Sequence, residues 1–323
     1  MILRIGLLSA ALLFLSSCGS VSPTSPNALV PATADQNPDI PQITINVAGV
    51  DRKIHVRTFG DSSNPAIFVL HGGPGSDFRH LQSLSSLADN YFLVMWDQRG
   101  SGLSERITRD EISFDAWREE FYAMKTVYAP NDPVIVIGQS WGGIYAVMIA
   151  TETPTDVSKL VLLEPGYLSS KINEIEGAPA YSLAESWLQE MLWNAEFISA
   201  SDHEQMDYKW MLNFDEAVSD YFYCEKDHPP LPIWRFGVYV SYIASRELFT
   251  DFDFTTKISD YTNKVLILGG ECSDLGHAFQ QEHHAPLFPS VDIFEVKNGG
   301  HFFMANETAT SFALEKIRTY LEE

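Results

Sequence analysis

A serine between glycines is the first residue of this chain that could do chemistry. The segment 138–143 reads Gly-Gln-Ser-Trp-Gly-Gly and stands between the apolar run 134–137 and a stretch with helical periodicity. In a Gly-x-Ser-x-Gly turn between a strand and a helix, the glycines permit a sharp bend that exposes the serine hydroxyl at the helix N-terminus. Ser140 is therefore the predicted nucleophile of an acyl-transfer reaction, in which a side-chain oxygen attacks a carbonyl carbon.

A serine nucleophile needs a general base, and His301 is the histidine whose position suits that role. It follows the apolar run 291–296 through an Asn-Gly-Gly turn, whose glycines allow the loop to swing the imidazole toward Ser140. A serine that precedes its histidine in the chain matches the order expected for this kind of nucleophile. Three further histidines lie in a polar helical pattern, where we expect solvated side chains rather than a metal site: His277, His283 and His284.

Backbone N–H groups are expected to bind the negative oxygen of the tetrahedral intermediate. The segment 71–75 reads His-Gly-Gly-Pro-Gly and directly follows the apolar run 66–70. Glycines at that point let the backbone approach a substrate closely, so the N–H of Gly73 and the N–H of Trp141 form the predicted oxyanion hole. His71 itself is interpreted as a structural hydrogen-bonding residue.

The elements that must position these residues follow from hydrophobic patterning. Short, continuously apolar runs predict strands buried on both faces, and helical patterns separate several of them. The predicted buried strands are 66–70, 91–96, 134–137, 159–163, 265–268 and 291–296, and the predicted helices are 114–128, 144–151, 278–287 and 307–321. This alternation predicts an α/β fold with a mostly parallel, doubly wound sheet, preceded by two antiparallel strands at 43–47 and 54–58.

One long interval carries no buried-strand pattern. Between residues 163 and 265 the sequence has helical periodicity and is rich in tryptophan and tyrosine. About a hundred residues exceed any ordinary loop of a compact domain. We interpret 167–258 as a helical cap inserted between two parts of a core, 42–166 and 259–323, where it would cover the ends of the strands at which such sheets bind ligands.

Three motifs together resemble a known family. His-Gly-Gly-Pro-Gly at 71–75, Trp-Asp-Gln-Arg-Gly-Ser-Gly-Leu-Ser at 96–104 and Gly-Gln-Ser-Trp-Gly-Gly at 138–143 are similar to the prolyl iminopeptidase branch of the α/β-hydrolases. The likeness covers most of residues 50–165 and resumes near 264–321. It implies an α/β-hydrolase fold with an inserted helical cap.

The resemblance also indicates where the acid that orients His301 is expected. In most members of the fold this acid follows the strand at 265–268 in a Gly-x-x-Asp turn, whereas 269–274 here reads Gly-Gly-Glu-Cys-Ser-Asp. Asp274 therefore stands one residue late. Some hydrolases of this fold, such as certain haloalkane dehalogenases, place a glutamate directly after the strand at 159–163, where Glu164 stands. Chain order favours Asp274, and Glu164 is the alternative acid. Glu271 in the same turn is a third candidate, although a residue at that place is more often structural.

The resemblance implies release of an N-terminal residue, typically proline, from a short peptide or amide, without a metal or organic cofactor. The free amine would then be read by cap carboxylates, whose candidates are Glu185, Glu190, Glu196, Glu204, Asp207, Asp215 and Glu216. The cap's aromatic residues equally suit a carboxylic ester or a lactone, so a carboxylesterase or lactonase is the alternative. A non-catalytic ligand-binding protein of the same fold is a further alternative.

The N-terminus has the pattern of a targeting segment rather than of a folded domain. A short basic start, an apolar run at 5–15 and Leu-Ser-Ser-Cys at 15–18 resemble the signal peptide and lipobox of bacterial lipoproteins. We predict a signal peptide at 1–17, lipid attachment to Cys18 and a flexible tether at 18–41 that is rich in proline and small polar residues. These features place the protein at the bacterial cell envelope, anchored in a lipid bilayer.

The net charge bears on possible binding partners, and the cysteine content bears on disulfide formation. The 323-residue chain has a formal net charge of −22, which would repel a nucleic-acid backbone and excludes nucleic acid as a partner. With Cys18 attached to lipid, Cys224 and Cys272 remain. Their spacing has no disulfide or metal signature, so we interpret them as two buried free thiols, with a single disulfide as the alternative.

Overall fold

The computed structural model describes residues 30–172, 203–217, 223–224 and 232–323, with the side chains of 212–217 left undescribed. The predicted signal peptide, the predicted lipidation residue Cys18 and much of the predicted cap lie outside the described residues. In the parts of the chain that are described, no helix is both long and apolar enough to cross a membrane.

An eight-stranded sheet forms the centre of the molecule, in the order β1-β2-β4-β3-β5-β6-β7-β8. The strands are β1 (Gln42–Val47), β2 (Val50–Phe59), β3 (Ala66–Leu70), β4 (Phe92–Trp96), β5 (Val134–Ser140), β6 (Val157–Pro165), β7 (Val265–Gly270) and β8 (Val291–Val296). The β1–β2 and β2–β4 pairs are antiparallel, and all the other pairs are parallel. The sheet confirms the predicted α/β class.

Helices cover both faces of this sheet. The helices of the described residues include α1 (Phe114–Tyr128), α2 (Trp141–Glu152), α3 (His203–Ala217), α4 (Val238–Ile243), α5 (His277–Phe279) and α6 (Glu307–Glu322), together with a 3-10 helix at Arg79–Asp89. The buried residues of α3 pack in a separate cluster away from the sheet faces. Side chains cap two of them, because the Ser113 hydroxyl accepts the N–H of Ala116 and the Asn306 amide oxygen accepts the N–H of Ala309.

Alternate residues of β3 face the two helical layers. Phe68 and Leu70 pack into a core cluster with α1 and α2, whereas Ile67 and Val69 pack with the 3-10 helix and α6. Because successive side chains of a strand point to opposite faces, a strand buried on both faces must be continuously apolar. Burial of each such side chain stabilises the fold by about 1.5–3 kcal/mol.

The last part of the predicted tether packs against the folded domain. Thr33 and Ala34 are buried, and the N–H of Ala34 donates to the carbonyl oxygen of Leu103 at 2.7 Å. The carbonyl oxygen of Pro31 accepts a hydrogen bond from Nη1 of Arg235 at 2.8 Å. The prediction of a flexible tether is therefore wrong from residue 30 onward, because backbone groups of this small-residue segment hydrogen-bond to the core and to the chain before α4.

Cys224 and Cys272 form a disulfide across 48 residues of sequence. The prediction of two free thiols is wrong, and the alternative of a single disulfide is correct. Cys272 lies in the loop after β7, and the fold brings its Cα to 5.3 Å from that of Cys224. Sequence spacing carries no sign of this contact, because it depends on how the chain returns to the sheet.

His284 is buried rather than solvated as predicted. It ends an irregular helical turn after α5, and its Nδ1 lies 2.7 Å from Oε1 of Gln280. Nε2 has no hydrogen-bond partner among the described residues. Burial lowers the pKa of His284 from the usual 6.5 to about 3, because the protonated ring would lose its hydration.

Replacement of His284 by glutamine should make the protein less sensitive to mild acid. Between pH 6.5 and 3 the unfolded chain binds a proton that the folded ring excludes, so this site's share of stability is present above pH 6.5 and declines as the pH falls. At pH 5 that decline is about 2 kcal/mol. Urea unfolding at pH 7 and pH 5 measures it.

The control is His283→Gln, because the neighbouring His283 side chain is partly exposed. That variant should lose as much unfolding free energy between pH 7 and pH 5 as the wild type. An equally steep loss in His284→Gln would contradict the assignment of the acid sensitivity to the buried ring.

Candidate active site

Ser140 occupies a strained turn between β5 and α2. Its backbone has φ 55° and ψ −119°, a conformation that non-glycine residues rarely adopt. The flanking glycines make the turn possible, since a Cβ on Gly138 would lie 2.2 Å from the carbonyl oxygen of Gly142, and one on Gly142 would lie 2.0 Å from that of Leu70. The serine retains 9% exposure at the N-terminus of a helix that is buried from Trp141 to Thr151.

His301 pairs with Glu164. Nδ1 of His301 lies 2.6 Å from Oε2 of Glu164, and both side chains are buried. The other carboxylate oxygen of Glu164 accepts the N–H of Gly270 at 2.5 Å. A carboxylate acceptor at Nδ1 requires the proton on that nitrogen, which leaves a lone pair on Nε2 for a general base.

A bulge in the sheet turns Glu164 toward the histidine. Leu163 pairs with Gln139 and Pro165 pairs with Ser140, so Glu164 is an extra residue between two matched positions, with φ 45°. A bulge of this kind redirects a side chain that regular pleating would send into a helical layer. The carboxylate therefore points past the end of β6 toward the loop after β8.

Asp274 is not the acid that contacts His301. Its side chain is exposed and forms no hydrogen bond or ion pair with any described residue. The preference for Asp274 is therefore wrong in geometry, because the loop after β7 turns this residue to solvent, while Gly270, the last residue of β7, binds Glu164. Glu271 is also exposed and binds the backbone N–H of Asn298 instead.

The loop at 71–75 runs over the nucleophile. A Cβ on Gly72 would lie 3.0 Å from Cβ of Ser140, and Gly73 has φ 115° before a cis bond to Pro74. The backbone of Gly73 and the first turn of α2 at Trp141 thus approach Ser140 from two sides. The N–H groups of a helix's first turn lack partners within the helix and are available to an anion.

Gln98 connects these two sides beneath the surface. Its Oε1 accepts the indole N–H of Trp141 at 2.8 Å, and its Nε2 donates to the carbonyl oxygen of His71 at 3.0 Å. Nε2 of His71 in turn accepts the backbone N–H of Gln98 at 3.0 Å. Burial lowers the pKa of His71, so its neutral ring is a structural acceptor, in keeping with the role expected for it.

Asp77 lies just after the loop at 71–75, which we call the oxyanion loop, and connects it to the segment before α4. No pattern in the sequence had indicated this role. The buried carboxylate of Asp77 accepts the backbone N–H groups of Arg79, Trp234 and Arg235 at 2.9, 2.5 and 3.1 Å. Burial, followed by the nearby charge of Asp97, raises the pKa of Asp77 well above its usual value. The position of the loop therefore depends on a segment that belongs to the predicted cap.

Asp207 joins α3 to the core. Its fully buried carboxylate lies 2.7 Å from Nε of Arg235 and 2.8 Å from Nη2 of Arg106, and it accepts the N–H of Val238 at 3.0 Å. Two guanidinium groups thus already occupy this candidate amine-binding acid. Glu185, Glu190 and Glu196 lie outside the described residues, the side chains of Asp215 and Glu216 are undescribed, and Glu204 is partly buried on α3.

An apolar cluster lies beside the site. Phe302, which follows His301, packs with Trp210 of α3 and Phe236, and a Cβ on Gly75 would lie 3.1 Å from the Phe236 ring. The rings of Trp210 and Phe236 stack at 3.7 Å between centroids. Residues of α3 and of the segment before α4 thus place apolar rings against both the loop after β8 and the loop at 71–75. No group of three potential metal ligands occurs among the described residues.

The sheet order, the bent serine turn and the histidine loop after the last strand define one class of protein. Residues 65–308 match the family model described as alpha/beta hydrolase fold. The chain belongs to the α/β-hydrolase fold family.

Its relatives include proline iminopeptidases. The chain is 24% identical over 290 residues to the proline iminopeptidase PfmaB of Pestalotiopsis fici, covering 83% of this chain and 95% of that protein. It is 27% identical over 164 residues to a proline iminopeptidase of Clostridium botulinum, covering 50% of this chain and 55% of that protein. A solved esterase from Thermogutta terrifontis shares the fold with a TM-score of 0.66 and 15% identity, over 87% of this chain and 98% of that one.

Replacement of Glu164 by glutamine should lower kcat by about a thousandfold, because the carboxamide cannot stabilise the imidazolium and can impose the wrong tautomer. Asp274→Asn, a matched change at an exposed carboxylate, should leave kcat within about twofold of the wild type. Steady-state hydrolysis of p-nitrophenyl acetate measures both. Losses of equal size in the two variants would rule out Glu164 as the sole orienting acid.

Proposed function

We propose that this protein is a serine hydrolase that works through an acyl-enzyme intermediate. The observation that carries the proposal is the buried 2.6 Å contact between Nδ1 of His301 and Oε2 of Glu164. Ser140, in its strained turn, directly follows Gln139, whose amide nitrogen lies 3.3 Å from Nε2 of His301. A histidine–glutamate pair of this kind leaves Nε2 as the base and stabilises the positive ring that forms when it takes a proton. An ion pair with only a structural role would not require a strained serine turn next to it.

The proposed reaction has two halves. Ser140 attacks the carbonyl carbon while His301 takes its proton, and the negative oxygen accepts hydrogen bonds from the N–H groups of Trp141 and Gly73. His301 then protonates the leaving amine or alcohol, which departs and leaves an acyl-serine. Water, activated by the same imidazole, hydrolyses the acyl-serine and restores the free hydroxyl.

For the substrate we propose the N-terminal residue of a short peptide or amide, as in proline iminopeptidases. Two relatives carry that name, one of them matched over 95% of its length. The three motifs at 71–75, 96–104 and 138–143 support the same choice. Recognition of a free amine would then depend on an acid other than Asp207, since that carboxylate is already bound by Arg106 and Arg235.

One observation favours a second candidate, a carboxylesterase or lactonase. The described part of the cap presents the apolar rings of Phe236 and Trp210 near the site, and its one fully buried carboxylate is neutralised by arginines. An apolar wall suits an uncharged acyl or alkyl group better than an ammonium group, whose desolvation is unfavourable without a counter-charge.

The two substrates can be separated with the full-length chain and Ser140→Ala as the blank. Hydrolysis of prolyl-aminomethylcoumarin but not of its N-acetylated analogue would support the aminopeptidase, because only the first has a free amine. Cleavage of p-nitrophenyl acetate with neither prolyl substrate would favour the esterase. A fluorophosphonate probe that labels neither the wild type nor Ser140→Ala would refute both and leave a ligand-binding protein.

We also propose that the chain is attached to a membrane of the bacterial cell envelope through lipid on Cys18. The Leu-Ser-Ser-Cys sequence at 15–18 supports this, and the disulfide between Cys224 and Cys272 suits an oxidising compartment. Expressed in a bacterial host fed radioactive palmitate, the wild type should be labelled and recovered with membranes, whereas Cys18→Ala should carry no label. Equal labelling of both would contradict lipid attachment at Cys18.

A further inference from the structure

The residue before the nucleophile contacts the base. Gln139 is 2% exposed, and its Nε2 lies 3.3 Å from Nε2 of His301 and 3.2 Å from the carbonyl oxygen of the same residue. Its Oε1 lies 3.2 Å from Nε2 of His80, at the start of the 3-10 helix. A Cβ on Gly72 would lie 2.4 Å from that Oε1, so the carboxamide is also enclosed by the oxyanion loop.

The carbonyl oxygen of His301 fixes the direction of this carboxamide. Because that oxygen can only accept, the amide nitrogen 3.2 Å away must face His301. Oε1 of Gln139 then faces Nε2 of His80 at 3.2 Å. Burial and the neighbouring His71 together lower the pKa of His80 to about 3, so its ring is neutral at ordinary pH and donates to Oε1 when its proton is on Nε2.

An amide N–H can only donate a hydrogen bond. It is therefore compatible with a lone pair on Nε2 of His301 and is repelled by an N–H at that position. Glu164 acts on the opposite nitrogen, where it accepts the proton of Nδ1. The two contacts select the same tautomer, the one that a general base requires.

The contacts also leave the nucleophile unengaged in this structure. The hydroxyl of Ser140 forms no hydrogen bond with any described residue, and Nε2 of His301 faces the amide of Gln139 instead. Hydrogen bonds between nucleophile and base often tighten only when substrate binds. Nε2 of His301 can exchange its contact with the Gln139 amide for a hydrogen bond from the Ser140 hydroxyl without a change of tautomer.

We propose that Gln139 is a positioning residue that keeps His301 in its basic tautomer and holds the loop after β8 through the carbonyl of His301. The proposal rests on the proposed function of Ser140 and His301. Gln139 neither bonds to substrate nor gains or loses a proton. The titratable groups that face His301 among the described residues are Glu164 from β6 and His80 from the 3-10 helix, with His71 beside His80.

The test replaces Gln139 by glutamate and by methionine. Glutamate has the same shape, but its carboxylate accepts a hydrogen bond from a protonated Nε2 and therefore favours the protonated ring of His301. Methionine fills similar space without an N–H. The control is Gln82→Glu, a change of the same charge at a partly exposed position of the same 3-10 helix. The readout is the pH dependence of inactivation by a fluorophosphonate, which reports the serine and its base without a specific substrate.

In Gln139→Glu the acidic limb of this profile should move up by about one pH unit or more, which lowers inactivation by about tenfold at any pH well down that limb. Gln139→Met should shift it in the same direction by less and lower kcat for p-nitrophenyl acetate by about tenfold with little change in KM. Gln82→Glu should match the wild type. A role in packing alone would lower the melting temperature without moving the acidic limb.

An acidic limb within about 0.2 pH unit of the wild type in Gln139→Glu would overturn the proposal. If that variant fails to fold, as judged by circular dichroism, Gln139→Met decides, and an unchanged kcat and acidic limb would overturn it. Failure of the proposed function is a different result, because the wild-type protein itself would then resist the fluorophosphonate.

Discussion

A carboxylate that is fully removed from water must be satisfied by donors, and Glu164 obtains them from two different parts of the sheet. One oxygen accepts the N–H of Gly270 at the end of β7, and the other meets the imidazole of His301 in the loop after β8. Removing one partner of a buried charge destabilises a protein by about 3–5 kcal/mol. The end of β6 with Glu164, the end of β7 with Gly270 and the loop after β8 with His301 must therefore lie together. The site and the local order of the sheet therefore depend on one another.

The position of the oxyanion loop likewise depends on contacts with another part of the chain, the segment before α4. Asp77 reaches from that loop to the backbone before α4, and Gly75 accepts the N–H of Gly237 at 2.7 Å. Asp207, whose carboxylate is fully buried, binds α3 to Arg106 of the core. The disulfide of Cys272 adds a covalent link beside the loop that binds Glu164. The segment before α4 is thus tied to the loop at 71–75, and Cys224 is tied to the loop after β7, whose strand binds Glu164.

Buried polar groups around the nucleophile are arranged so that few of them carry charge. His71 and His80 are kept neutral by burial, and Gln98 and Gln139 link them to Trp141 and His301 through amide groups. Neutral donors and acceptors cost less to bury than ions, and each direction of donation is fixed by its neighbour. The buried ion pair beside these neutral groups is that of Glu164 and His301, the pair on which the proposed reaction depends.

The sequence by itself determined the features that arise from local geometry. Apolar runs fixed the strands, and the glycines around Ser140 and in the loop at 71–75 marked turns that larger residues cannot form. Only the tertiary structure decided the acid, because a bulge with positive φ at Glu164 and the outward turn of Asp274 depend on how neighbouring strands pair. The disulfide and the packed segment from residue 30 were decided in the same way, since each is a contact between residues far apart in the chain, which no local pattern records.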